Sequence, residues 1–485
     1  MLRGLLYTLW VLALGGLGTQ ATPPWPVTDR TAGPMHASVY VWHESWPPGL
    51  AEQAGLCARH FAGWVAEGPG APLWIKTAEL QREGDGYLVR AASVDWAALA
   101  EALGDQPDAA GPTHVWLVAR LDERGAPLDR PDAAIDELAA HWRATADRIA
   151  DLAPGLAVTG VQLDFDCPSR RLGDYANLLK KLRTQIDPAW RLSITALPAW
   201  LDRPSFVRVT RACDLYVLQV HALRPPKRVD DVPPLVEPAR ALRWVEQAAR
   251  LGRPFAVSLP TYSVQLRFDD QGRFVNQNQF AARGDRALRP GEREVELKSD
   301  AQAISELVTR WRSRRPVQLV GLAWFRLAEP GAELAWSGPA LRAVAAGRPP
   351  LRAVQLVVRE PRPGLLEVVV QNQGETSETV GASIRVDGLS SGVAQGSGGV
   401  FRDSPVGWVW RADGGALRLD SDGADALRLG PGREAVMMWA SAPGGAPLTG
   451  PAGPSAAWVD SDDRSSQRKE PWRGTPQDQT GTGSP

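Results

Sequence analysis

Apolar residues recur in two alternating rhythms between residues 38 and 326. Short runs rich in β-branched and aromatic residues indicate buried strands, and the longer segments between them carry apolar residues every three or four positions, as amphipathic helices do. The predicted strands are Ser38–Glu44, Pro72–Thr77, His114–Asp122, Val158–Pro168, Leu192–Pro198, Leu215–His221, Phe255–Tyr262 and Val317–Arg326. The predicted helices are Leu50–Val65, Val94–Leu103, Pro131–Leu152, Leu172–Ile186, Ser205–Cys213, Pro238–Leu251 and Asp300–Arg314.

Eight strand–helix units with nearly continuous apolar strands predict an α/β fold, a parallel (β/α)8 TIM barrel. A doubly wound open sheet is the alternative. No glycine-rich phosphate loop follows the first strand, so a dinucleotide-binding or P-loop protein is not supported. The long connection Ser263–Ser299 has alternating runs around a turn sequence, which predicts a β-hairpin on the rim of the barrel.

The pattern changes on either side of the predicted barrel. The apolar run Leu5–Leu17, followed by small residues, predicts an export signal and therefore a periplasmic or secreted protein with no transmembrane segment once the signal is removed. Beyond residue 350 the strands are short and no helix is indicated, which predicts a small all-β, immunoglobulin-like sandwich. The predicted segments are a signal peptide (1–21), a proline-rich leader (22–34), the barrel (35–348), the sandwich (351–445) and a disordered tail (446–485).

Composition narrows the choice of partners. The formal net charge is -1, with Lys+Arg 54 against Asp+Glu 55, which gives no electrostatic reason to expect a nucleic-acid partner. The chain has Trp 20, and indole rings that are not needed in the core are suited to stacking on sugar rings. Cys 3 is too few for a disulfide framework. We expect a monomer that uses no cofactor.

The fourth predicted strand carries the clearest candidate chemistry. Read with a period of two, one face is apolar, and the opposite face presents Gln162, Asp164 and Asp166. Like charges on one face are costly unless a proton, a cation or a base lies between them. The acids come at the carboxyl end of the strand, where α/β barrels place their active sites. Asp164 and Asp166 are therefore the candidate catalytic residues.

Other predicted strands also end in polar or aromatic residues. Inner barrel layers are normally branched and apolar, so polar groups at the ends of many strands indicate a binding site. The candidate substrate-binding residues are Glu44, Gln162, Gln219, His221, Tyr262, Trp324 and Arg326, with Lys76, Arg120, Asp122 and Thr195 at comparable positions.

The spacing of the acid pair limits what it can do. Residues i and i+2 of a strand are ~6.6 Å apart, and carboxylates this close titrate separately, leaving one of them fit to act as a general acid. Acid pairs that cleave glycosides normally flank the bond, whereas two acids on one strand lie on the same side of it. This geometry favours a mechanism in which a group of the substrate attacks and the acid protonates the leaving oxygen.

The stretch G-V-Q-L-D-F-D-C-P resembles the fourth-strand motif of chitinase-type barrels. The resemblance implies that Asp166 takes the place of the proton donor and Asp164 that of the assisting acid, and that Gln162 stands where an acid is usual. It also implies that Trp324 forms the floor of the sugar site and that Gln219–His221 positions the substrate. In this chain Asp replaces the usual Glu as donor, and the sixth strand lacks the expected Tyr-Asp pair.

A closer resemblance, to the bacterial exported domain-of-unknown-function family 3142, is carried by Val161–Pro168, Leu192–Leu201 and Tyr216–Leu223. It extends over residues 36–330 and implies a barrel like those of glycoside hydrolases, without a known substrate.

The main hypothesis is an exported glycoside hydrolase-like protein that acts on a polysaccharide or glycan, without a metal. One alternative is a carbohydrate-binding barrel without catalysis. A metal-dependent sugar deacetylase, with Asp164, Asp166 and His221 as ligands, is the other.

Overall fold

The computed structural model describes residues 29–33, 35–62, 72–84, 86–104, 112–121, 126–221, 226–278, 288–330, 332, 335–380, 383–389, 400–402, 408–413, 416–421, 427–441 and 454–459. The chain forms two compact units, Met1–Pro349 and Pro350–Pro485. The predicted signal peptide lies outside the described residues and stays a prediction. In the described part of the chain, no helix is long and apolar enough to cross a membrane.

The first unit alternates strands and helices. Its strands are β1 (Arg30–Thr31), β2 (His36–Val41), β3 (Leu73–Glu83), β4 (Gly86–Ala91), β5 (Thr113–Leu121), β6 (Leu156–Asp164), β7 (Arg191–Ala196), β8 (Leu215–Gln219), β9 (Phe255–Pro260), β10 (Val264–Phe268), β11 (Phe274–Asn278), β12 (Arg293–Leu297), β13 (Arg315–Pro316) and β14 (Leu319–Phe325). Its helices are α1 (Leu50–Ala62), α2 (Trp96–Leu103), α3 (Ala126–Asp129), α4 (Pro131–Leu152), α5 (Leu172–Arg183), α6 (Pro204–Arg211), α7 (Pro238–Ala249), α8 (Ala301–Ser313) and α9 (Gly338–Ala345).

Eight parallel strands close into a barrel, as predicted. Their order is β2-β14-β9-β8-β7-β6-β5-β3, and pairing of β2 with β3 closes the ring. β4 adds to β3 as an antiparallel hairpin strand outside the ring. Each ring strand is buried on both faces, which explains the nearly continuous apolar runs in the sequence.

Two separate apolar cores follow from the alternation of side chains along the strands. The outward-facing residues, such as Val161 and Leu163 of β6, pack with the helices in the large core between barrel and helices. The inward-facing residues fill the barrel, where the Trp74 and Trp116 rings stack with centroids 5.1 Å apart. The Trp116 ring fits because residue 160 is a glycine: a Cβ at this position would lie only 2.7 Å from an atom of Trp116.

The long connection after β9 contains the predicted hairpin and a further strand. β10 pairs antiparallel with both β11 and β12, so the segment is a three-stranded sheet. Its apolar face, which includes Val264, Leu266 and Phe268, packs in a small core with Tyr262 and Phe325. This core joins the inserted sheet to the carboxyl ends of β9 and β14.

The second unit is all-β in its described part, as predicted. Its strands are β15 (Val354–Arg362), β16 (Leu365–Asn372), β17 (Glu378–Val380), β18 (Ser383–Asp387), β19 (Val400–Arg402), β20 (Trp408–Asp413), β21 (Ala416–Ser421), β22 (Leu427–Leu429), β23 (Glu434–Ser441) and β24 (Ser455–Val459). They form sheets β15-β16-β23-β19, β20-β21-β18-β24 and β17-β22. β24 lies in the segment that was predicted to be a disordered tail. Its short apolar run pairs with β18, and the many Gly and Pro residues around this run are the reason that the sequence did not indicate a strand there.

Candidate functional site

The interior of the barrel becomes polar towards the carboxyl ends of its strands. The fourth ring strand, β6, shows the change most clearly, because Gln162 and Asp164 point inward while Val161 and Leu163 point into the outer core. The fully buried Gln162 accepts a hydrogen bond from the Tyr40 hydroxyl at 2.8 Å and donates one to Ser193 Oγ at 3.1 Å. The prediction that Gln162 contacts substrate is wrong, since its amide connects three strands and none of it is exposed.

Asp164 is the last residue of β6. Its carboxylate accepts a hydrogen bond of 2.7 Å from Thr195 Oγ1 on the neighbouring strand β7. Burial raises the pKa of this carboxyl above its ordinary value, although the Thr195 hydrogen bond and the positive charges of Arg120 and Lys76 act in the opposite direction, and the negative charge of Glu79 adds to the rise. Asp164 is therefore an acid that holds its proton more strongly than an ordinary aspartate.

Asp166 lies just beyond the strand. The ladder with β5 ends at Asp164, and the Cys167 amide donates to the Phe165 carbonyl at 2.8 Å, so that the chain turns at Asp166. Phe165 packs edge-on against Tyr175 of α5 with ring centroids 5.3 Å apart. The sequence predicted both acids on one regular strand, but the strand ends at Asp164. Asp166 is half-buried on the turn that follows.

The second ring strand, β3, contributes two charged residues because its register is irregular. Lys76 pairs with Val118 of β5 but Ala78 pairs with Ala119, so Thr77 is an extra residue, a β-bulge. In a regular strand, residues 76 and 79 would face opposite sides; the bulge turns both inward, where Lys76 Nζ lies 3.2 Å from Glu79 Oε2. Lys76 is 3% exposed and is also paired with Glu44.

Glu79 is kept ionised by its neighbours. Burial acts to raise the pKa of this carboxyl, but a hydrogen bond of 2.9 Å from Gln81 and the charges of Lys76 and Arg120 outweigh burial and lower the pKa below its usual value. Glu79 pairs in register with Arg120 of β5, and Arg120 pairs with Asp164 of β6. These three residues, Glu79, Arg120 and Asp164, are called the barrel row below.

His221 follows β8 on the other side of the barrel. Its ring contacts Ser258 Oγ through Nε2 at 3.2 Å and the Tyr262 hydroxyl through Nδ1 at 3.5 Å, and it stacks on Phe325 with centroids 5.8 Å apart. Burial lowers the pKa of His221 to about 4, so the imidazole is neutral near pH 7. Gln219, half-buried, pairs in register with Ser258.

The aromatic residue that faces the interior from the eighth ring strand is Phe325. Phe325 contacts Tyr40 (5.5 Å between centroids), Trp42 (5.3 Å) and Tyr262 (6.1 Å). The prediction that Trp324 forms the floor of a sugar site is wrong: Trp324 is fully buried in the outer core, near Trp336. The run Val317–Arg326 is apolar at consecutive positions, so its sequence does not show which residues face inward.

Arg326 and Glu44 lie at the rim. Arg326 Nη1 donates to the Trp42 carbonyl at 3.3 Å, and burial lowers the pKa of this guanidinium to about 10, with Glu329 and Tyr262 opposing the decrease. The Glu44 side chain is 65% exposed. Both positions are compatible with contact to a bound ligand.

The metal-dependent alternative requires Asp164, Asp166 and His221 as common ligands. Among the described residues, no group of three or more His, Cys, Asp or Glu side chains has an arrangement that could hold a metal ion. Both ring nitrogens of His221 contact hydroxyl groups of the protein. The structure thus gives the deacetylase hypothesis no support.

Sequence reasoning missed Glu79 and Phe325. One signal for Glu79 was present in the sequence. The apolar side chains that face outward come from an odd position, Ile75, and then from even positions, Ala78 and Leu80. A strand can change in this way only if it contains an extra residue, a β-bulge, between them. The prediction ended this strand at Thr77, and so left Glu79 out.

Comparison with known proteins agrees with the sequence motifs. Residues 112–330 match the family described as "Domain of unknown function (DUF3142)", which confirms that resemblance over this range. No curated protein sequence matches the chain.

Solved structures similar to this chain include a spore cortex-lytic enzyme and chitinases from several organisms. The Bacillus cereus spore cortex-lytic enzyme has 12% identity, with 65% of this chain and 75% of that chain covered, and a TM-score of 0.41. A Bacillus thuringiensis chitinase has 8% identity, coverage of 88% and 100%, and a TM-score of 0.40. A GH18 chitinase from Flavobacterium johnsoniae has 11% identity, coverage of 65% and 94%, and a TM-score of 0.39.

Proposed function

We propose that this protein is an exported glycoside hydrolase, periplasmic or secreted, that acts on a polysaccharide or glycan with acid catalysis by a carboxyl group of β6. The observation that carries the proposal is Asp164, an acid with a raised pKa at the carboxyl end of a barrel strand. A protonated carboxyl beside a second acid is the division of roles that acid catalysis of glycoside cleavage uses. Asp166, on the turn just beyond β6, is the proposed donor, and Asp164 is the neighbour that tunes it.

The surroundings of the acids support a carbohydrate ligand. Trp42 and Phe325, both half-buried and in edge contact, form an aromatic wall at the same end of the barrel, and such rings present flat apolar faces to sugar rings. Gln219, half-buried, provides a hydrogen-bonding amide on the strand that His221 follows, and the His221 ring stacks on Phe325 of this wall. Polar groups beside aromatic faces are the usual composition of a small-molecule site.

The test is release of reducing ends by the full chain from a panel of xylan, carboxymethyl cellulose, laminarin, glycol chitin and peptidoglycan. We expect turnover of at least one glycan, and a decrease in kcat of about 10²–10⁴-fold in Asp166→Asn or Asp164→Asn, the usual effect of losing an acid catalyst or the group that tunes it. Asp132→Asn is the matched control, because Asp132 lies on α4 with a 75% exposed side chain paired with Lys181. Turnover that is unchanged in both site variants would contradict the proposal.

A carbohydrate-binding barrel without catalysis is the second candidate. The aromatic wall favours it, since stacking requires no acid. Binding of a panel glycan without any turnover, weakened by Phe325→Leu, would establish this function in place of hydrolysis.

A further inference from the structure

One face of the sheet β15-β16-β23 lies outside the core of the second unit. Alternate residues of these strands, such as Val358 and Val368, pack in that core, and the residues between them point to the opposite face. Strand pairing arranges this opposite face, called the outer face below, in three rows. The rows are Gln355, Gln371 and Glu434; Val357, Val369 and Val436; and Arg359, Glu367 and Trp439.

A β-bulge in β23 turns Trp439 onto the outer face. The register with β16 shifts at Met437, which is an extra residue in β23. In a regular strand, residues 436 and 439 would face opposite sides; with the extra residue both face outward, and Met437 and Met438 both pack in the core. Trp439 is half-buried and lies outside that core, so part of its indole ring is open to a ligand.

The charged residues of the outer face are paired with one another. Arg359 Nε donates to Glu367 Oε2 at 2.8 Å, and Arg359 Nη2 donates to Glu434 Oε1 at 3.0 Å. Because Arg359 and Glu434 stand at opposite corners of the three rows, this second ion pair passes over Val369 at the centre. Val369 is accordingly fully buried although it lies outside the core. The planar guanidinium group thus forms part of the floor of the outer face.

The two glutamines in the first row are fixed in a chain of hydrogen bonds. Gln355 Nε2 donates to Gln371 Oε1 at 3.1 Å, and Gln371 Nε2 donates to Glu434 Oε2 at 2.9 Å. A glutamine amide has two donor hydrogens and two acceptor lone pairs, which is more than these bonds use. Both glutamines are half-buried, so their amides can also reach a ligand. Since the side chains are held in place before binding, little conformational entropy is lost when a ligand arrives.

The chemistry and the size of the outer face suit a neutral polysaccharide. Arg359 pairs with both carboxylates, so the charges are largely compensated within the face and give an ionic ligand little attraction. The three rows extend roughly 10 Å across the strands and 13 Å along them. This is far less than the about 800 Å² that each partner buries in a stable protein complex. A short run of sugar rings, with apolar C–H faces and hydroxyl groups that both donate and accept, fits these dimensions.

We propose that the outer face binds a neutral polysaccharide. Trp439 stacks on a sugar ring, and Gln355, Gln371 and Arg359 form hydrogen bonds with sugar hydroxyl groups. Binding at this face breaks no bond and does not require the acids of the barrel. The second unit therefore holds the chain on an insoluble glycan, which is a function separate from the hydrolysis proposed for the barrel.

The test is co-sedimentation of the full chain with insoluble cellulose, chitin and mannan. We expect retention on at least one of them, with an affinity that Trp439→Ala lowers by about tenfold or more. Raising NaCl from about 0.05 M to about 0.5 M should leave the affinity unchanged, because a neutral ligand is not screened. Trp244→Ala is the matched control, since Trp244 is also half-buried but lies on α7. Retention that is lost at high salt would indicate an ionic ligand and overturn the proposal.

Phe325→Leu separates the outer face from the barrel. Retention that persists in Phe325→Leu and is lost in Trp439→Ala supports the outer face as the binding site. Retention that is lost only in Phe325→Leu would assign binding to the barrel and overturn the proposal. No retention on any of the three glycans would overturn it as well, whereas release of reducing ends from soluble glycans would still support the hydrolase.

A second variant covers the case in which Trp439→Ala does not fold, as near-ultraviolet circular dichroism would show. Gln355→Ala leaves the indole ring in place and should lower the affinity by about threefold to tenfold through the lost hydrogen bonds. Unchanged retention in Gln355→Ala and in a folded Trp439→Ala would contradict the proposal. Light scattering that shows a dimer, dissociated by Gln355→Ala or Trp439→Ala, would identify the outer face as a protein interface instead.

Discussion

Each of the two units contains a row of charged side chains across three strands. In the first unit it is the barrel row, inside the ring. In the second unit it lies on one face of the sheet β15-β16-β23. The members of this second row, called the sheet row, are Arg359, Glu367 and Glu434.

Burial distinguishes the two rows. In the sheet row the side chains of Arg359 and Glu434 are 36% and 44% exposed, and the hydrogen bond from Arg359 lowers the pKa of Glu434. In the barrel row, burial raises the pKa of Asp164 in spite of nearby positive charge. A neighbouring arginine therefore favours the ionised form of Glu434 on an exposed sheet, whereas burial leaves Asp164 protonatable inside the barrel. A row of charges becomes a candidate for acid catalysis through burial, not through its pattern alone.

Removal of the arginine from each row should distinguish the stabilities of the two rows most strongly. Arg120→Met should lower the free energy of unfolding by about 3 kcal/mol, because it removes one of the two cations, Arg120 and Lys76, that act on the acids inside the barrel. Arg359→Met should cost only about 0.2–1 kcal/mol, as is usual for exposed ion pairs. Urea unfolding of the two variants at pH 7.5 measures both values. Equal costs would mean that burial does not distinguish the rows.

The pH dependence of stability should reveal the burial of His221. Its pKa is about 4 in the folded protein and ~6.5 in an unfolded chain, so the unfolded state binds more protons between these values. The free energy of unfolding should therefore fall as the pH falls from about 6.5 towards 4, by up to about 3 kcal/mol from this residue.

His221→Gln should remove this contribution in urea unfolding at pH 7.5, 6, 5 and 4. His114→Gln, at the exposed start of β5, is the control and should retain it. An unchanged pH dependence in His221→Gln would contradict the burial of the imidazole.

Loss of the Thr195 hydroxyl should give the smallest effect. Thr195→Val removes the hydrogen bond to Asp164, which should raise the pKa of Asp164 further and lower stability at pH 7.5 by about 1–3 kcal/mol. If this carboxyl is needed in its protonated form, the alkaline limb of the pH–rate profile should move to higher pH. Thr184→Val, whose hydroxyl bonds the exposed end of α5, should move neither quantity. An alkaline limb that moves to lower pH would be the opposite of this expectation.

The sequence predicted the barrel because outward strand positions and helix faces repeat regularly. The predicted helix Pro131–Leu152 agrees with α4 at both ends, and the strand predicted from Leu215 begins where β8 begins. Asp164 and His221 were found because the alternation is regular over the last residues of β6 and along β8, which His221 follows. Glu79 was missed because its inward direction depends on a one-residue bulge.

For the remaining site residues, the direction and the partners of the side chain depend on tertiary structure. Trp324 and Phe325 are both apolar, and only the pairing of β14 with β2 and β9 determines which of them faces the interior. Gln162 was correctly placed on the inward face, but its bonds to Tyr40 and Ser193 come from distant strands that a local pattern cannot bring together.

The most direct test of the contrast between the rows is a ¹³C NMR titration of the full chain labelled at its aspartate carboxyl carbons. The Asp164 resonance is identified by its loss in Asp164→Asn, with Asp132→Asn as the assignment control. Burial inside the barrel predicts that Asp164 titrates above the usual ~3.9 of an aspartate. An Asp164 resonance that titrates at or below that value would show that the barrel row is an ordinary ion-pair row, and would remove the protonatable neighbour on which the proposed acid catalysis by Asp166 depends.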